Sequence, residues 1–263
     1  MDQIKDCIKL KIHRHFINII FNRPSKKNAL NTRMIDEIKN TLRDFKDNKQ
    51  IKIILFSSES DIFCAGADLE SLQRIKDFSY DENLKDSINL MELFKTMLTY
   101  PKLIISKVEG AAIAGGCGIT TASDIVFATE EAKFGYPEVK IGFIPALVST
   151  FLTKKINEQH ARELLLTGKL INAKSALDIG LINYICQKNK IDIHIKGFVE
   201  KHIKTTSSNS IYETKQMLYH WLDLDKKLNQ AAEFNALNRK SEDFKKGISC
   251  FLSKREIDWI KDE

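Results

Sequence analysis

The amino-acid sequence predicts an α/β fold followed by a separate layer of helices. In the first two thirds of the chain, short apolar segments of strand length alternate with segments of helical periodicity. Glycine-rich turns follow two of the apolar segments. After about residue 194 no strand pattern remains, and apolar residues recur at helical spacing. We therefore divide the chain into a core over residues 1–193 and a C-terminal helical region over 194–263.

The first elements are predicted in the order strand, strand, helix, strand. Ile8–Ile12 and Phe16–Phe21 are short apolar segments that we expect to pair as a hairpin. Asn31 is placed to cap a helix whose apolar residues recur along one stripe. A buried strand is then expected over residues 51–56.

The middle of the chain continues the alternation. Further strands are expected over residues 103–108 and 124–128. Residues 72–100 are predicted to be helical but irregular, with a loop over 77–81 that we expect to cover a pocket. The polar run at residues 205–210 predicts a turn within the C-terminal helical region.

Composition limits the class of protein. With 263 residues, 43% of them hydrophobic, the chain can bury a substantial core. We find no apolar stretch of the roughly 18 to 20 residues that cross a membrane, and the charged N-terminus lacks the apolar segment of a secretory signal. We therefore expect a cytoplasmic protein without a membrane partner. The net charge of +6 suits a polyanionic ligand, but the lysines are dispersed and no basic run is interleaved with aromatic residues, so nucleic acid is not the expected partner.

Cysteine and histidine usage gives no sign of a metal site. The five cysteines are scattered, which favours reduced thiols over disulfides. Cys64 and Cys117 fall in the glycine-rich turns, where we expect small buried side chains and not nucleophiles. His13 and His15 share one face of a predicted strand, but no third ligand is near them in the sequence, so we expect no metal.

Residues 110–118, Gly-Ala-Ala-Ile-Ala-Gly-Gly-Cys-Gly, are the most informative segment. They follow a predicted strand and precede a predicted helix from about Gly116 to Ala122, so the Gly115 amide is expected at a helix N-terminus. Unpaired N–H groups and the positive end of the helix dipole coincide at such a position, which can form an oxyanion hole. Tight packing is the alternative reason for these glycines.

Two other segments follow the same plan. Residues 63–69, Phe-Cys-Ala-Gly-Ala-Asp-Leu, also come after an apolar strand and open a helix that Asp68 is placed to cap. Residues 134–138, Phe-Gly-Tyr-Pro-Glu, lead into the mainly apolar segment 139–146. Three such segments together favour a reaction site over simple packing.

In this order and at these separations, the three segments resemble the crotonase superfamily of enoyl-CoA hydratases and isomerases. Further segments in register extend the resemblance along nearly the whole chain, namely residues 22–24, 28–31, 166–168, 176–182 and 241–255. The resemblance implies a spiral of β-β-α units whose C-terminal helices form a trimer, often paired into a hexamer. It also implies an acyl-CoA thioester substrate, no cofactor beyond the CoA that the substrate carries, and no metal.

The resemblance implies chemical roles for three residues. The backbone amides of Ala67 and Gly115 would donate hydrogen bonds to the thioester oxygen and stabilise the enolate. Glu138 follows a proline in an apolar segment, where burial raises a carboxyl pKa, and would transfer the proton. The alternative interpretation places Glu138 at the surface or beside Lys140.

Further residues are expected to bind the substrate. The resemblance implies CoA contacts from the main chain beside the first glycine loop and from lysines, one of which reaches CoA from a neighbouring subunit. The expected binding residues are Ala65, Asp68, Leu69, Lys26, Lys27, Gly116, Gly118 and Lys254, the last acting across the subunit interface. For Asp68 a helix cap is the main expected role.

Position 118 departs from the common hydratases of this superfamily, which carry a second glutamate there. Gly118 is expected to leave room for a branched or carboxylated acyl group. A single glutamate resembles the enoyl-CoA isomerases, the bacterial 3-methylglutaconyl-CoA hydratases and the dehydratases acting on hydroxymethylglutaryl-carrier protein. The segment 145–149, Pro-Ala-Leu-Val-Ser, favours the last two.

We therefore expect a hydro-lyase acting on an acyl-CoA or carrier-protein thioester. A Δ3,Δ2-enoyl-CoA isomerase, a catalytically weak acyl-CoA binder and an RNA-binding relative remain alternatives. An acyl group with its own distal carboxylate would need a cationic or hydroxylic partner in the pocket. Tyr136, Ser149 and Thr150 are candidates, and the sequence identifies none of them as that partner.

Overall fold

The computed structural model of the protein describes residues 2–260. The strands in this range are β1 (Asp2–Ile4), β2 (Ile8–Ile12), β3 (Phe16–Phe21), β4 (Ile53–Ser58), β5 (Ile62–Cys64), β6 (Leu103–Val108), β7 (Ala111–Ile113), β8 (Ile125–Thr129), β9 (Lys133–Gly135), β10 (Leu170–Asn172) and β11 (Tyr184–Cys186). The helices are α1 (Thr32–Phe45), α2 (Leu69–Ile75), α3 (Tyr80–Leu98), α4 (Gly115–Ala122), α5 (Ala146–Lys155), α6 (Glu158–Thr167), α7 (Ala173–Asp178), α8 (Ile191–Thr205), α9 (Ser208–Trp221), α10 (Leu224–Asn238) and α11 (Glu242–Leu252). Short 3-10 helices cover Pro24–Lys26 and Pro137–Ile141.

Among the described residues, the larger sheet has the strand order β1-β2-β3-β4-β6-β8-β11. Its first three strands are antiparallel, which confirms the predicted hairpin, and β3, β4, β6, β8 and β11 are parallel. β4 and β6 are buried along nearly their whole length, as parallel strands covered on both faces are. β4 begins at Ile53 and β8 at Ile125, slightly later than predicted.

The smaller sheet has the order β10-β9-β7-β5. β5, β7 and β9 run parallel to one another, and β10 pairs antiparallel with β9. The mixed α/β fold predicted from the sequence is therefore confirmed. This smaller sheet positions the candidate site.

Two predicted helix caps are confirmed. The Asn31 side chain accepts a hydrogen bond from the Met34 amide at 2.9 Å and begins α1. The Asp68 carboxylate accepts from the amides of Glu70 and Ser71 and begins α2.

The predicted loop over residues 77–81 is shorter in the structure. Ser79 forms a capping box with Glu82, so that α3 begins at Tyr80. The prediction that the loop extends to Asp81 is wrong, because this capping box starts the helix inside the predicted loop. The predicted turn at 205–210 is likewise reduced to residues 206 and 207, since Ser207 caps α9.

His13 and His15 do not lie on a strand, contrary to the prediction. Both are in the turn between β2 and β3, where the His13 ring stacks on Phe16 with centroids 4.1 Å apart. His15 Nδ1 lies 3.2 Å from the Gln50 carbonyl oxygen. Within residues 2–260, no group of three or more His, Cys, Asp and Glu is placed to hold a metal ion.

The predicted helical character of the C-terminal region is confirmed, with α8 to α11 following the last strand. α10 packs along α3 and α5, and its Leu228, Ala231 and Ala232 are buried in the main hydrophobic core. The helical region and the sheets therefore share one core. Among the helices described, none is both long and apolar enough to cross a membrane.

Candidate active site

Three loops leave the same edge of the smaller sheet. In the parallel pairs β5–β7 and β7–β9, Cys64 is opposite Ala112 and Ile113 is opposite Gly135. Segments that leave the carboxyl ends of parallel neighbours meet at one edge of a sheet, where α/β proteins bind ligands. The two glycine-rich loops and the segment ending at Glu138 are therefore brought together.

The two glycine loops touch through residues that have no space for a side chain. Gly66 has φ +92°, and a Cβ on it would lie 2.8 Å from the Cβ of Ala114 and 3.1 Å from the Ile113 carbonyl oxygen. A Cβ on Gly116 would lie 2.4 Å from the Cys64 carbonyl oxygen. Because any larger residue would force the loops apart, both glycines are needed for this contact.

The amides of Ala67 and Gly115 are free at this contact. On either side of Ala67, the Gly66 carbonyl accepts from the Leu30 amide at 2.7 Å, and the Asp68 amide donates to the Leu30 carbonyl at 2.9 Å. The Ala67 N–H itself has no acceptor among the described residues, and neither has the N–H of Gly115, the first residue of α4. Both residues line the same cavity.

Ala114 holds the Gly115 amide in place through an uncommon backbone conformation. Its φ of 51° and ψ of −123° lie outside the regions that residues with a Cβ usually adopt, at a cost of about 1–3 kcal/mol. The Ala114 amide donates to the Gly135 carbonyl at 2.8 Å, and its carbonyl accepts from the Gly118 amide at 2.9 Å. These two hydrogen bonds fix the turn from β7 into α4.

A cavity of about 680 Å³ opens beside the two amides. Its wall is mostly apolar and includes residues of the glycine loops, of the 3-10 helix after β9, and of α1, α2, α3, α5, α10 and α11. Exposed side chains of Lys140, Arg255 and Trp259 line its open part. The volume and apolar lining suit a small-molecule site that takes an acyl group.

Glu138 lies in this wall, in the 3-10 helix that follows β9. It is 8% exposed, its Oε2 has no hydrogen-bond partner among the described residues, and burial raises the pKa of its carboxyl to about 7. No ion pair joins Lys140 to this carboxyl. The alternative that Glu138 is a surface residue or a partner of Lys140 is therefore wrong.

The expected binding residues occupy different places. Ala65 lines the cavity, and its amide donates to the Lys27 carbonyl at 3.1 Å, so Lys27 supports the first loop through its main chain. Asp68 is 2% exposed and forms an ion pair with Arg23 at 2.7 Å, which agrees with a capping role. Lys26 pairs with Glu70 on the surface, and Leu69, the first residue of α2, is 54% exposed and does not line the cavity.

Lys254 follows α11 with φ 54° and is not part of the cavity wall, whereas the next residue, Arg255, is. Whether Lys254 reaches CoA in another subunit remains a prediction, since that contact would join two copies. Gly116 also lies outside the wall, because it packs on Cys64. Cys64 and Cys117 are fully buried, and burial raises the pKa of both thiols, as expected for side chains that only fill space.

The expectation that Gly118 leaves room for the acyl group is wrong. A Cβ on Gly118 would lie 2.7 Å from Phe94 Cζ and 2.9 Å from Val148 Cγ2, so α3 and α5 fill this space. Gly118 itself is not in the cavity wall, although Phe94 and Val148 are. Glycine at position 118 therefore adds no space to the cavity.

Sequence reasoning missed several polar residues of the wall, three of which lie on α3 and at the end of α10. Asp86 on α3 and Asn235 and Arg239 at the end of α10 line the cavity. The signal was present in the sequence, since Asn235 and Arg239 continue the buried stripe that begins at Leu228 and Ala232. Polar residues at such positions indicate either a buried network or a binding site.

Comparison with known proteins shows the family to which the chain belongs. Residues 11–262 match the family model described as enoyl-CoA hydratase/isomerase. A Thermus thermophilus protein named as an enoyl-CoA hydratase is 36% identical over 243 residues, which cover 92% of this chain and 96% of that protein. A Bacillus subtilis protein named likewise is 33% identical over 252 residues, which cover 90% of this chain and 92% of that protein. The crystal structure of an enoyl-CoA hydratase from Bacillus halodurans has a TM-score of 0.86 at 25% identity, covering 93% of this chain and 100% of that one.

The packing at position 118 yields a first prediction. Gly118→Ala is expected to lower the free energy of unfolding by about 1–3 kcal/mol, because the new methyl group overpacks a filled space. The cost should be smaller in a Phe94→Leu background, where the ring that blocks the methyl group is absent. Denaturant unfolding of the four proteins measures this coupling. An unchanged cost in the Phe94→Leu background would contradict the packing described here.

Proposed function

Because the chain belongs to the enoyl-CoA hydratase/isomerase family, we propose that it is a hydro-lyase that adds water across the Cα–Cβ double bond of a 2-enoyl-CoA thioester and removes it in reverse. One observation carries this proposal. Ala67 and Gly115, whose amides have no acceptor among the described residues, line the same cavity as Glu138, whose Oε2 has no hydrogen-bond partner in that part of the chain. Fixed donors beside a free acid–base group are what the chemistry of an α,β-unsaturated thioester requires.

The two amides would stabilise the negative charge that develops on the thioester oxygen. As water attacks Cβ, electron density moves from the double bond to this oxygen, which then accepts hydrogen bonds from both N–H groups. Removing one such donor from an enzyme typically costs roughly 3 kcal/mol of transition-state stabilisation. Because no reorganisation of the loops is needed, the stabilisation is present when the charge forms.

Glu138 would serve as base and then as acid. The ionised carboxylate takes a proton from the attacking water, whose oxygen bonds to Cβ, and then returns a proton to Cα as the enolate collapses. The product carries the hydroxyl on Cβ and the new hydrogen on Cα, so one water is consumed. A carboxyl pKa of about 7 suits both directions of transfer near neutral pH.

We further propose that the acyl group is branched or carries a second carboxylate, as 3-methylglutaconyl-CoA does. The support is the absence of a second carboxylate at Gly118 and the segment 145–149, four of whose residues line the cavity. Isomerisation of a 3-enoyl-CoA by the same single carboxyl is the alternative reaction. A panel of crotonyl-CoA, 3-methylglutaconyl-CoA, a 3-enoyl-CoA and a carrier-protein thioester, followed by mass, separates these substrates.

The CoA moiety is proposed to lie at the open part of the cavity. CoA carries several phosphates, and the exposed cations Lys140 and Arg255 line this part. Lys26 and Lys27 lie on the surface segment that precedes the first helix and are proposed to contact the same moiety.

We also propose that the C-terminal helices join copies of the chain as a trimer or a dimer of trimers. Met217, Leu218 and Trp221 on α9 and Phe234 and Leu237 on α10 are exposed apolar side chains, and clusters of this kind mark interfaces. Light scattering at micromolar concentration is expected to give three or six times the mass of one chain, and Trp221→Glu should reduce it. A monomeric wild-type protein would show the proposal to be wrong.

Glu138→Gln is expected to reduce turnover of the preferred enoyl-CoA by at least about a hundredfold, because it removes the proton-transfer group and keeps its shape. Binding of the substrate should persist, since the amides and the cavity are unchanged. Steady-state kinetics and equilibrium binding of purified variant and wild type measure the two effects. Near-normal turnover would refute the role of Glu138.

Two pH experiments serve as controls for this variant. For the wild type, kcat/KM for hydration should rise with pH through about 7 and then level off, because the base must be ionised. Burial raises the pKa of the Glu138 carboxyl in the folded protein above its value in the unfolded chain. The free energy of unfolding should therefore fall as pH rises from about 4.5 through 7. Glu138→Gln removes this loss, so its Tm at pH 8 should equal or exceed that of the wild type. A lower Tm would mean that lost activity reflects lost structure.

A further inference from the structure

The apolar wall of the cavity is interrupted by a polar cluster of Asp86, Asn235 and Arg239. Asn235 is 4% exposed and Arg239 is 5% exposed. Arg239 Nη1 forms an ion pair with Asp86 Oδ2 at 2.7 Å and also lies 3.3 Å from the Asn83 carbonyl oxygen. A buried arginine and amide on a substrate cavity call for a ligand or a complete internal network.

The internal network is incomplete. Arg239 Nε is buried without a partner, and Arg239 Nη2 makes no hydrogen bond to the described residues. Asn235 Oδ1 is also buried without a partner, and its amide nitrogen makes no hydrogen bond within the described chain. A ligand with acceptor oxygens would satisfy the N–H groups of Arg239 and of the Asn235 amide nitrogen, whereas Asn235 Oδ1 is itself an acceptor and does not contribute to this match. Asp86 and Asn83 accept from Nη1, which leaves the N–H groups of Nε and Nη2 without an acceptor among the described residues.

The cluster lies on the part of the cavity wall formed by α3 and the end of α10, and not on the glycine loops. Asp86, Leu90 and Phe94 follow each other at four-residue spacing on the face of α3 that lines the cavity. Phe94 adjoins Gly118 in α4, and Asp86 is about two turns, or roughly 12 Å, from Phe94 toward the N-terminus of α3.

Phe143 connects the cluster to the candidate base. Its amide donates to the Glu138 carbonyl at 3.0 Å, and the Arg239 guanidinium lies 5.4 Å from the centroid of its ring. An acyl chain that starts at the two free amides and passes Glu138 would therefore point along Phe143 toward Asn235 and Arg239. The large charged CoA moiety must stay at the open part, so the group that meets the cluster belongs to the acyl chain.

We propose that Arg239 and Asn235 form a subsite for a terminal carboxylate on the acyl chain of the substrate. The proposal rests on the proposed function in that the cavity is taken to bind an acyl-CoA. A carboxylate has two acceptor oxygens and no donor, which matches an arginine and an amide that both offer N–H groups. A terminal methyl group would leave these donors unpaired and would bind more weakly.

The test compares unreactive saturated ligands of equal length. Glutaryl-CoA and adipyl-CoA end in a carboxylate, valeryl-CoA and hexanoyl-CoA end in a methyl group, and glutaramyl-CoA ends in a neutral amide. Calorimetry with the full-length wild type should show at least about tenfold tighter binding of one dicarboxylic ligand than of its methyl counterpart. Equal affinities, or an amide that binds as tightly as the carboxylate, would overturn the proposal.

Variants of α10 assign the preference to the cluster. Asn235→Ala should reduce the carboxylate preference to about threefold or less, and Asn235→Asp should reverse it by charge repulsion. Asn238→Ala is the matched control, since Asn238 is the same residue type on the same helix, has a buried unpartnered Oδ1 and does not line the cavity. It should keep the full preference. A preference that survives Asn235→Asp would overturn the proposal even if Arg239 variants fail to fold.

Hydration of crotonyl-CoA separates this proposal from the proposed function. A wild type that hydrates crotonyl-CoA but binds both ligand classes equally lacks the carboxylate subsite and keeps the enzymatic assignment. A wild type that prefers glutaryl-CoA but hydrates no enoyl-CoA has the subsite and lacks the proposed reaction.

Discussion

The parallel register of β5, β7 and β9 is the constraint on which the rest of the site depends. It brings the carboxyl ends of three short strands to one edge, from which the first glycine loop, the second glycine loop and the Glu138 segment leave. The contact of Gly66 with Ala114 then sets the two free amides against one cavity. A shift of one residue in either pairing would turn these segments to the other face of the sheet.

Several local features of the site cost stability and are held by the surrounding structure. Ala114 has a positive φ, and among the described residues two amides lack acceptors and the buried Oε2 of Glu138 has no hydrogen-bond partner. The opposite end of α4 is tied down by Lys155, whose Nζ donates to the carbonyls of Thr121 and Ser123 at 3.0 and 2.8 Å. Burial lowers the pKa of Lys155 to about 8. A cation at the carboxyl end of α4 stabilises the helix whose first amide faces the cavity.

Local sequence patterns predicted those parts of the site that are formed by residues close together in the sequence. Asn31 and Asp68 were recognisable as caps because capping needs a short polar side chain directly before a helix. The glycine loops were recognisable because a strand, small residues and a helix are contiguous in the sequence. The caps, the hairpin and the α/β plan followed from such signals, and the resemblance to a known superfamily added the roles of the amides and of Glu138.

The remaining features depend on contacts between distant segments. The space beside Gly118 is filled by Phe94 from α3, and nothing near either residue in the sequence indicates that they meet. Arg239 and Asp86 are brought together by the packing of α10 on α3. Helical periodicity places Asn235 and Arg239 on the buried face of α10 but does not predict which helix covers that face. Neither the filled space at Gly118 nor the pairing of Arg239 with Asp86 could therefore be derived from the sequence.

The central claim is that the amides of Ala67 and Gly115 bind and polarise the thioester oxygen. The most direct measurement is the carbonyl stretching frequency of a bound 2-enoyl-CoA, obtained by Raman difference spectroscopy with a carbonyl-13C label in the Glu138→Gln variant, which holds the substrate without turning it over. Two hydrogen bonds to the oxygen weaken the C=O bond, so the account predicts a clear shift to lower frequency relative to free substrate. A bound substrate with the frequency found in free solution would contradict it.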